Sequence, residues 1–223
     1  MTKEESRKRI IDVGIVPVVR ASSPQQALLA AEAVCAGGIP IVEVTMTVPG
    51  AIEVILQLAK TGGNEIVVGA GTVLDADTAQ QCMDAGAVFV VSPGFDYRTV
   101  MVAKDNDVLV IPGALTPTEI IAAWHAGADL VKIFPCGTVG GAKYIKALKG
   151  PLPQVPMIPT GGVNLDTAAA FILAGAEALG VGGELVSASA LKSGKTGEIT
   201  EAARQFVAIV RDARQQKARA SSA

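Results

Sequence analysis

An α/β fold of the (β/α)8 TIM barrel class, with one additional N-terminal helix, is what this sequence predicts, and three features predict it. Short β-branched runs begin at residues 15, 41, 66, 88, 108, 130, 155 and 178, so that a new run opens every 20 to 26 residues. Near-continuous apolar runs separated by amphipathic stretches are the pattern of parallel strands with helical crossovers. One helix-to-strand join recurs four times, as Ala36-Gly37-Gly38, Ala85-Gly86-Ala87, Ala126-Gly127-Ala128 and Ala174-Gly175-Ala176. Each copy supplies a glycine suited to a left-handed helix cap. The rival architecture, an open doubly wound sheet, wants a GxGxxG turn after the first strand and an acid near the end of the second. Only the acid is present, because Arg20-Ala21-Ser22-Ser23 follows the first run.

In order along the chain, a helix over Lys3–Val13 precedes strands at Ile15–Val19, Ile41–Thr45, Ile66–Ala70, Val88–Ser92, Val108–Ile111, Leu130–Phe134, Val155–Pro159 and Ala178–Gly182. Ser23-Pro24-Gln25-Gln26 places a capping hydroxyl before a proline at the first helical position. Thr116-Pro117-Thr118-Glu119 adds the glutamate of a capping box. A last helix is expected over Ile199–Arg214, followed by a solvated, disordered tail at about 215–223. Residues 1–223 suit one barrel domain, since such barrels run to about 250 residues as a single unit.

Half of the residues are apolar, and the formal net charge is −2. No apolar run approaches the roughly 18 residues of a membrane span. The segment Met1–Arg9 carries both signs of charge and lacks the apolar core of a signal peptide, which predicts a cytoplasmic location. Cys35, Cys82 and Cys136 have no CxxC spacing and read as reduced thiols, with neither a disulfide framework nor a zinc site. The near-neutral balance provides no basic stripe for nucleic acid. His125, the single histidine, sits near a helix C-terminus, so a metal-dependent site is not expected; such sites want several His and carboxylate ligands.

In a barrel, chemistry collects at the C-terminal strand ends. The polar residues there are Arg20, Glu43 with Thr45, Thr72, Ser92, Lys132, Thr160, and the pairs Gly161-Gly162 and Gly182-Gly183. Lys132 lies in Leu130-Val131-Lys132-Ile133-Phe134-Pro135, where an ammonium is costly unless paired or deprotonated. Strand alternation sets Ile41, Glu43 and Thr45 on one face, and Leu130, Lys132 and Phe134 on one face of the sixth strand. If both faces look inward, the carboxylate and the amine meet or share water. The alternative is a buried structural ion pair. The two glycine pairs follow strands seven and eight, where barrels often hold phosphate on backbone N–H groups. A tight turn is the alternative for either pair alone. Cys136, just past strand six, reads as a passive small apolar residue.

Val42-Glu43-Val44-Thr45, Gly69-Ala70-Gly71-Thr72, Ser92-Pro93, Ile111-Pro112-Gly113, Val131-Lys132-Ile133-Phe134-Pro135 and Pro159-Thr160-Gly161-Gly162 occur in this order. Together they resemble the bacterial class I aldolases for 2-keto-3-deoxy-6-phosphogluconate (KDPG) and 4-hydroxy-2-oxoglutarate (KHG). The likeness runs from about Val16 to Val186. It implies a homotrimeric barrel without cofactor that cleaves a 2-keto-4-hydroxy acid to pyruvate and an aldehyde. It further implies that Lys132 is the Schiff-base lysine and Glu43 the acid/base. Arg20, with Thr72 and Thr160, would hold the substrate carboxylate, and Gly161, Gly162, Gly182 and Gly183 the phosphate, with Thr45, Pro93 and Phe134 near the site. Some members of the family carry an arginine after strand two; this chain has Met46-Thr47-Val48-Pro49 there. Where the family often has a serine after the glycine of strand eight, this chain has Glu184, which should weaken phosphate binding.

Other readings of the same residues are a related pyruvate aldolase for an unphosphorylated or galactonate-type substrate, and a cofactor-free sugar-phosphate isomerase or epimerase with Glu43 as base. A phosphate-binding barrel without catalysis is a third. Phe171, Ile172 and Leu173 on an outer helix fit either intrachain core or subunit contact.

Overall fold

The computed structural model describes residues 1–221 of the 223-residue chain. Helix α1 (Lys3–Val13) opens on a capping box: the Thr2 hydroxyl accepts from the Glu5 N–H, and the Glu5 carboxylate accepts from the Thr2 N–H. Gly14, in the left-handed conformation, ends the helix and donates its N–H to the Ile10 carbonyl. The bounds match those expected from the sequence.

Among the described residues nine strand segments follow: β1 (Ile15–Val19), β2 (Ile41–Thr45), β3 (Val67–Gly71), β4 (Phe89–Val91), β5 (Leu109–Ile111), β6 (Gly113–Ala114), β7 (Val131–Ile133), β8 (Met157–Pro159) and β9 (Leu179–Val181). All their pairings are parallel, in the orders β5-β4-β3-β2-β1-β9 and β6-β7-β8. The segments β5 and β6 are one stave of the barrel divided by Pro112. Proline has no N–H for a ladder, yet its carbonyl still accepts from the Lys132 N–H at 2.9 Å. The Asp129 N–H, donating to the Val110 carbonyl at 3.1 Å, ties the next turn to β5. A parallel bridge between Thr160 and Gly180 joins β8 to β9. The parallel sheet thus curls round to meet itself as eight staves, and every strand residue is buried, as both faces of such a sheet require.

The crossovers are α2 (Pro24–Ala36), α3 (Ala51–Gly62), α4 (Ala76–Asp84), α5 (Tyr97–Asp105), α6 (Pro117–His125), α7 (Ala142–Lys149), α8 (Ala168–Leu173) and α9 (Ala188–Ser193), with α10 (Thr196–Ser221) closing the chain. Ser23 and Thr116 cap α2 and α6, the latter in a full capping box with Glu119. At the four repeated joins Gly38, Gly86, Gly127 and Gly175 take φ of 94°, 100°, 95° and 106°, the region that favours glycine. One apolar cluster extends from Ile10 to Ala213 and includes the fully buried Phe89, Phe171 and Phe206.

Helix α10 departs from the sequence expectation. It continues past Arg214 to Ser221 through most of the segment read as a frayed tail; residues 222–223 lie outside the described residues. Arg214 anchors it by donating to the carbonyls of Ile11, Asp12 and Glu177 at 2.5, 2.6 and 2.9 Å. Phe171 and Ile172 are core residues, whereas Leu173 is exposed.

Candidate active site

Lys132 is the middle residue of β7, paired with Gly113 of β6 on one side and Ile158 of β8 on the other. Only 4% of it is exposed. Its Nζ lies 5.2 Å from the centroid of the Phe134 ring, a distance at which an aromatic face favours a cation. Glu43 holds the equivalent central place in β2, between Val18 of β1 and Gly69 of β3, and is 2% exposed. Burial pushes its carboxyl pKa up, against the smaller opposing pull of the Lys132 and Arg20 charges. Among the described residues its buried Oε1 has no hydrogen-bond partner.

Both side chains line one cavity of about 10 Å³, with Val16, Val91, Ile111, Ile158, Thr160 and Gly180 as its other walls. That is room for about one water. Among the described residues no ion pair within 4.0 Å includes Lys132 or Glu43, so the two face a shared space without forming the structural salt bridge that was the alternative reading. A buried carboxylate left unpaired is expensive, and groups held this way concentrate at functional sites.

Thr160 and Gly180 also line a second cavity of about 160 Å³, bounded by Val18, Arg20, Phe134, Gly161, Gly162, Val163, Gly182, Gly183 and Glu184. The two spaces are therefore neighbours at the C-terminal ends of β1, β7, β8 and β9. Gly161 and Gly162 adopt φ of 84° and 78°, and a Cβ on Gly162 would lie 2.7 Å from Gly137 Cα; the turn needs glycine at these positions. Gly182 and Gly183 have open space where a side chain would start, which leaves their backbone accessible from the cavity. The charged groups lining this cavity are Arg20 and Glu184, both exposed.

Three expected site residues stand apart from the two cavities. Thr72, half-buried at the end of β3, has φ of 57°, an outlier for a β-branched residue. The Thr45 hydroxyl donates to the Val19 carbonyl at 3.0 Å and lies 2.7 Å from the Thr47 hydroxyl, so it is committed to β1 and its own loop. Pro93 is half-buried, with its backbone against Gly113. Cys136 is buried and its thiol is pushed up to about 11 by that burial, which suits a passive role. Conversely, two residues matter that motif reasoning passed over. A Cβ on Gly71 would fall on the Glu43 side chain, and one on Gly180 would fall on Thr160 Oγ1. The signal was available, since a glycine inside a buried strand often marks a close approach.

The family model for KDPG and KHG aldolases matches residues 7–202. The 2-dehydro-3-deoxy-phosphogluconate aldolase of Treponema pallidum is 37% identical over 199 residues, covering 89% of this chain and 94% of that protein. The KHG/KDPG aldolase of Escherichia coli K12 is 35% identical over 204 residues, covering 91% and 95%. A crystal structure of the Legionella pneumophila KDPG aldolase, with pyruvate captured at low pH as a covalent carbinolamine intermediate, superposes with a TM-score of 0.83 at 30% identity, covering 90% of this chain and 97% of that one. A buried lysine and a buried carboxylate facing one cavity in a closed parallel barrel, together with these matches over nearly the whole length, establish that the chain belongs to the KDPG and KHG aldolase family.

Proposed function

We propose that this class I aldolase cleaves KDPG, KHG or both to pyruvate and an aldehyde, glyceraldehyde 3-phosphate or glyoxylate, through a Schiff base on Lys132. The observation that carries the assignment of residues is the common cavity of Lys132 and Glu43 without an ion pair between them. As the free amine, Lys132 attacks the C2 ketone to give a carbinolamine. Glu43 in its acid form protonates the departing hydroxyl, water leaves, and an iminium remains that serves as an electron sink. The Glu43 carboxylate, through a water, then takes the C4 hydroxyl proton while the C3–C4 bonding pair flows toward the iminium. The aldehyde departs and an enamine of pyruvate stays on Lys132. Protonation at C3 and hydrolysis release pyruvate and restore both residues. The raised pKa of Glu43 supports this double duty, because a group that both gives and takes a proton works best near the operating pH.

Arg20 at the cavity rim and Thr160 in the wall shared by the two cavities are assigned to the substrate carboxylate, for which a guanidinium fork is well shaped; Thr72, outside both cavities, is assigned there on the family resemblance alone. The glycine pairs are assigned to the distal phosphate. Glu184 opposes that last assignment, since it adds a carboxylate to the wall where a dianion would sit. No cofactor enters these steps. A homotrimer in the cytoplasm is part of the same proposal; the support for subunit contact is that Leu74 and Tyr97, the most exposed large apolar side chains, follow the C-terminal ends of adjacent strands β3 and β4.

Reduction with borohydride in the presence of pyruvate tests the assignment. The expected product is a single mass increase on the peptide that contains Lys132, lost together with turnover in Lys132→Ala. Labelling of Lys143, Lys146 or Lys149 instead would sink it, and turnover without any trapped imine would favour isomerase-type chemistry.

A further inference from the structure

We propose that Gly71 is a positioning residue for catalysis: the side chain it lacks is the space that holds the Glu43 carboxylate beside the Lys132 cavity. The inference rests on the acid/base reading of Glu43. It starts from an oddity of β3, whose alternate positions Gly69 and Gly71 share a face. A Cβ on Gly69 would enter the Phe89 ring, and a Cβ on Gly71 would lie 2.6 Å from both Cγ and Cδ of Glu43 and closer still to Oε1. Neither the Glu43 side chain nor a methyl group at 71 can keep its place in the presence of the other.

The backbone gives no competing reason for glycine. Gly71 is not among the glycines with positive φ, so an L-residue could adopt its conformation, and glycine inside a strand is otherwise a weakness. The strand itself is fixed: the Met46 N–H donates to the Gly71 carbonyl at 2.8 Å, and the Val73 N–H to the Val91 carbonyl at 3.1 Å. Thr45 and Ala70 continue the pairing to Gly71 on one side and Val90 on the other. With the backbone held from both sides, an added methyl displaces the carboxylate rather than β3. No hydrogen bond to Oε1 resists that displacement. The position of this carboxylate oxygen is therefore set by packing, and Gly71 provides the packing.

The test is Gly71→Ala, assayed for kcat and KM beside Glu43→Gln and the double variant. Gly71→Ala should lower kcat by about 10²- to 10⁴-fold, the range of a lost general acid–base step, with KM for the keto acid changed less than about threefold. The double variant should be within about threefold of Glu43→Gln alone, because a residue that acts only through Glu43 has nothing further to remove. A folded Gly71→Ala with kcat within about threefold of the parent overturns the proposal. So does a further tenfold loss when it is added to Glu43→Gln. Should Gly71→Ala fail to fold, Gly71→Ala/Glu43→Ala restores the melting temperature of Glu43→Ala; a double variant that stays unfolded also overturns it. If Glu43→Gln itself retains full turnover, the acid/base reading fails, and that result is separate from the behaviour of Gly71.

Discussion

Glu43 shows what burying a single carboxyl costs. Its folded pKa is raised by burial above the ordinary value of 4.5, so the folded state binds the proton more tightly than the unfolded chain does. Stability is therefore lost as pH rises from about 4.5 through the raised folded pKa, and above that value the full cost of the buried charge is present. Glu43→Gln is accordingly expected to be more stable than the parent at pH 8 by at least about 1 kcal/mol, or roughly 2–4 °C in Tm for a chain of this length. The gain should vanish near pH 4, where the parent carboxyl is protonated in both states. Thermal scans at the two pH values check this; an equal difference at both would mean that the charge is not the source. The identities of Lys132 and Glu43 were legible in the sequence because charged residues inside apolar runs stand out. Gly71 was legible only as a glycine inside a buried strand, a mark of some close approach; which side chain approaches depends on what the neighbouring strand brings against it.

Among the elements, α1 and the starts of α2 and α6 were legible because their caps depend on local contacts. Ser23, Thr116 with Glu119, and the four glycine joins are all satisfied within a few residues along the chain. Strand ends depend on partners, and β3 lies one residue beyond the expected run while β5 and β6 are parted by Pro112. The extent of α10 likewise reflects distant carbonyls, those of Ile11, Asp12 and Glu177, which Arg214 reaches across the molecule. Arg214→Ala should lower stability by at least about 2 kcal/mol, given the worth of charge-assisted hydrogen bonds, and chemical denaturation would measure it. On the loop after β9, Glu184→Ser should raise kcat/KM for KDPG relative to KHG by about tenfold or more, equivalent to roughly 1.4 kcal/mol of transition-state binding. Paired kinetics on the two substrates check this, and an unchanged ratio would show that the Glu184 carboxylate turns away from the substrate.

The molecule as a whole presents its candidate site and its most exposed apolar groups at the same end. Leu74 and Tyr97 are 66% and 58% exposed, and each lies just beyond a C-terminal strand end. If they form the subunit contact, Leu74→Glu lowers the molar mass measured by light scattering toward the 22.7 kDa of one chain. A parent protein already monomeric at micromolar concentration would refute the trimer. Among the described residues no helix is long and apolar enough to cross a membrane.

By itself the sequence determined the repeat, the parallel barrel and the pair of titratable residues, because strand period, cap chemistry and a charge in an apolar run are written within short stretches of chain. The folded structure was needed to show that Lys132 and Glu43 share one small cavity without forming an ion pair, and that Thr45 turns to the Val19 carbonyl and the Thr47 hydroxyl instead. It also decided that Glu184 lines the space of the glycine pairs and that Gly71 makes room for a carboxylate. These are relations between residues tens of positions apart, fixed by strand register and by the closing of the sheet, and no local pattern encodes them.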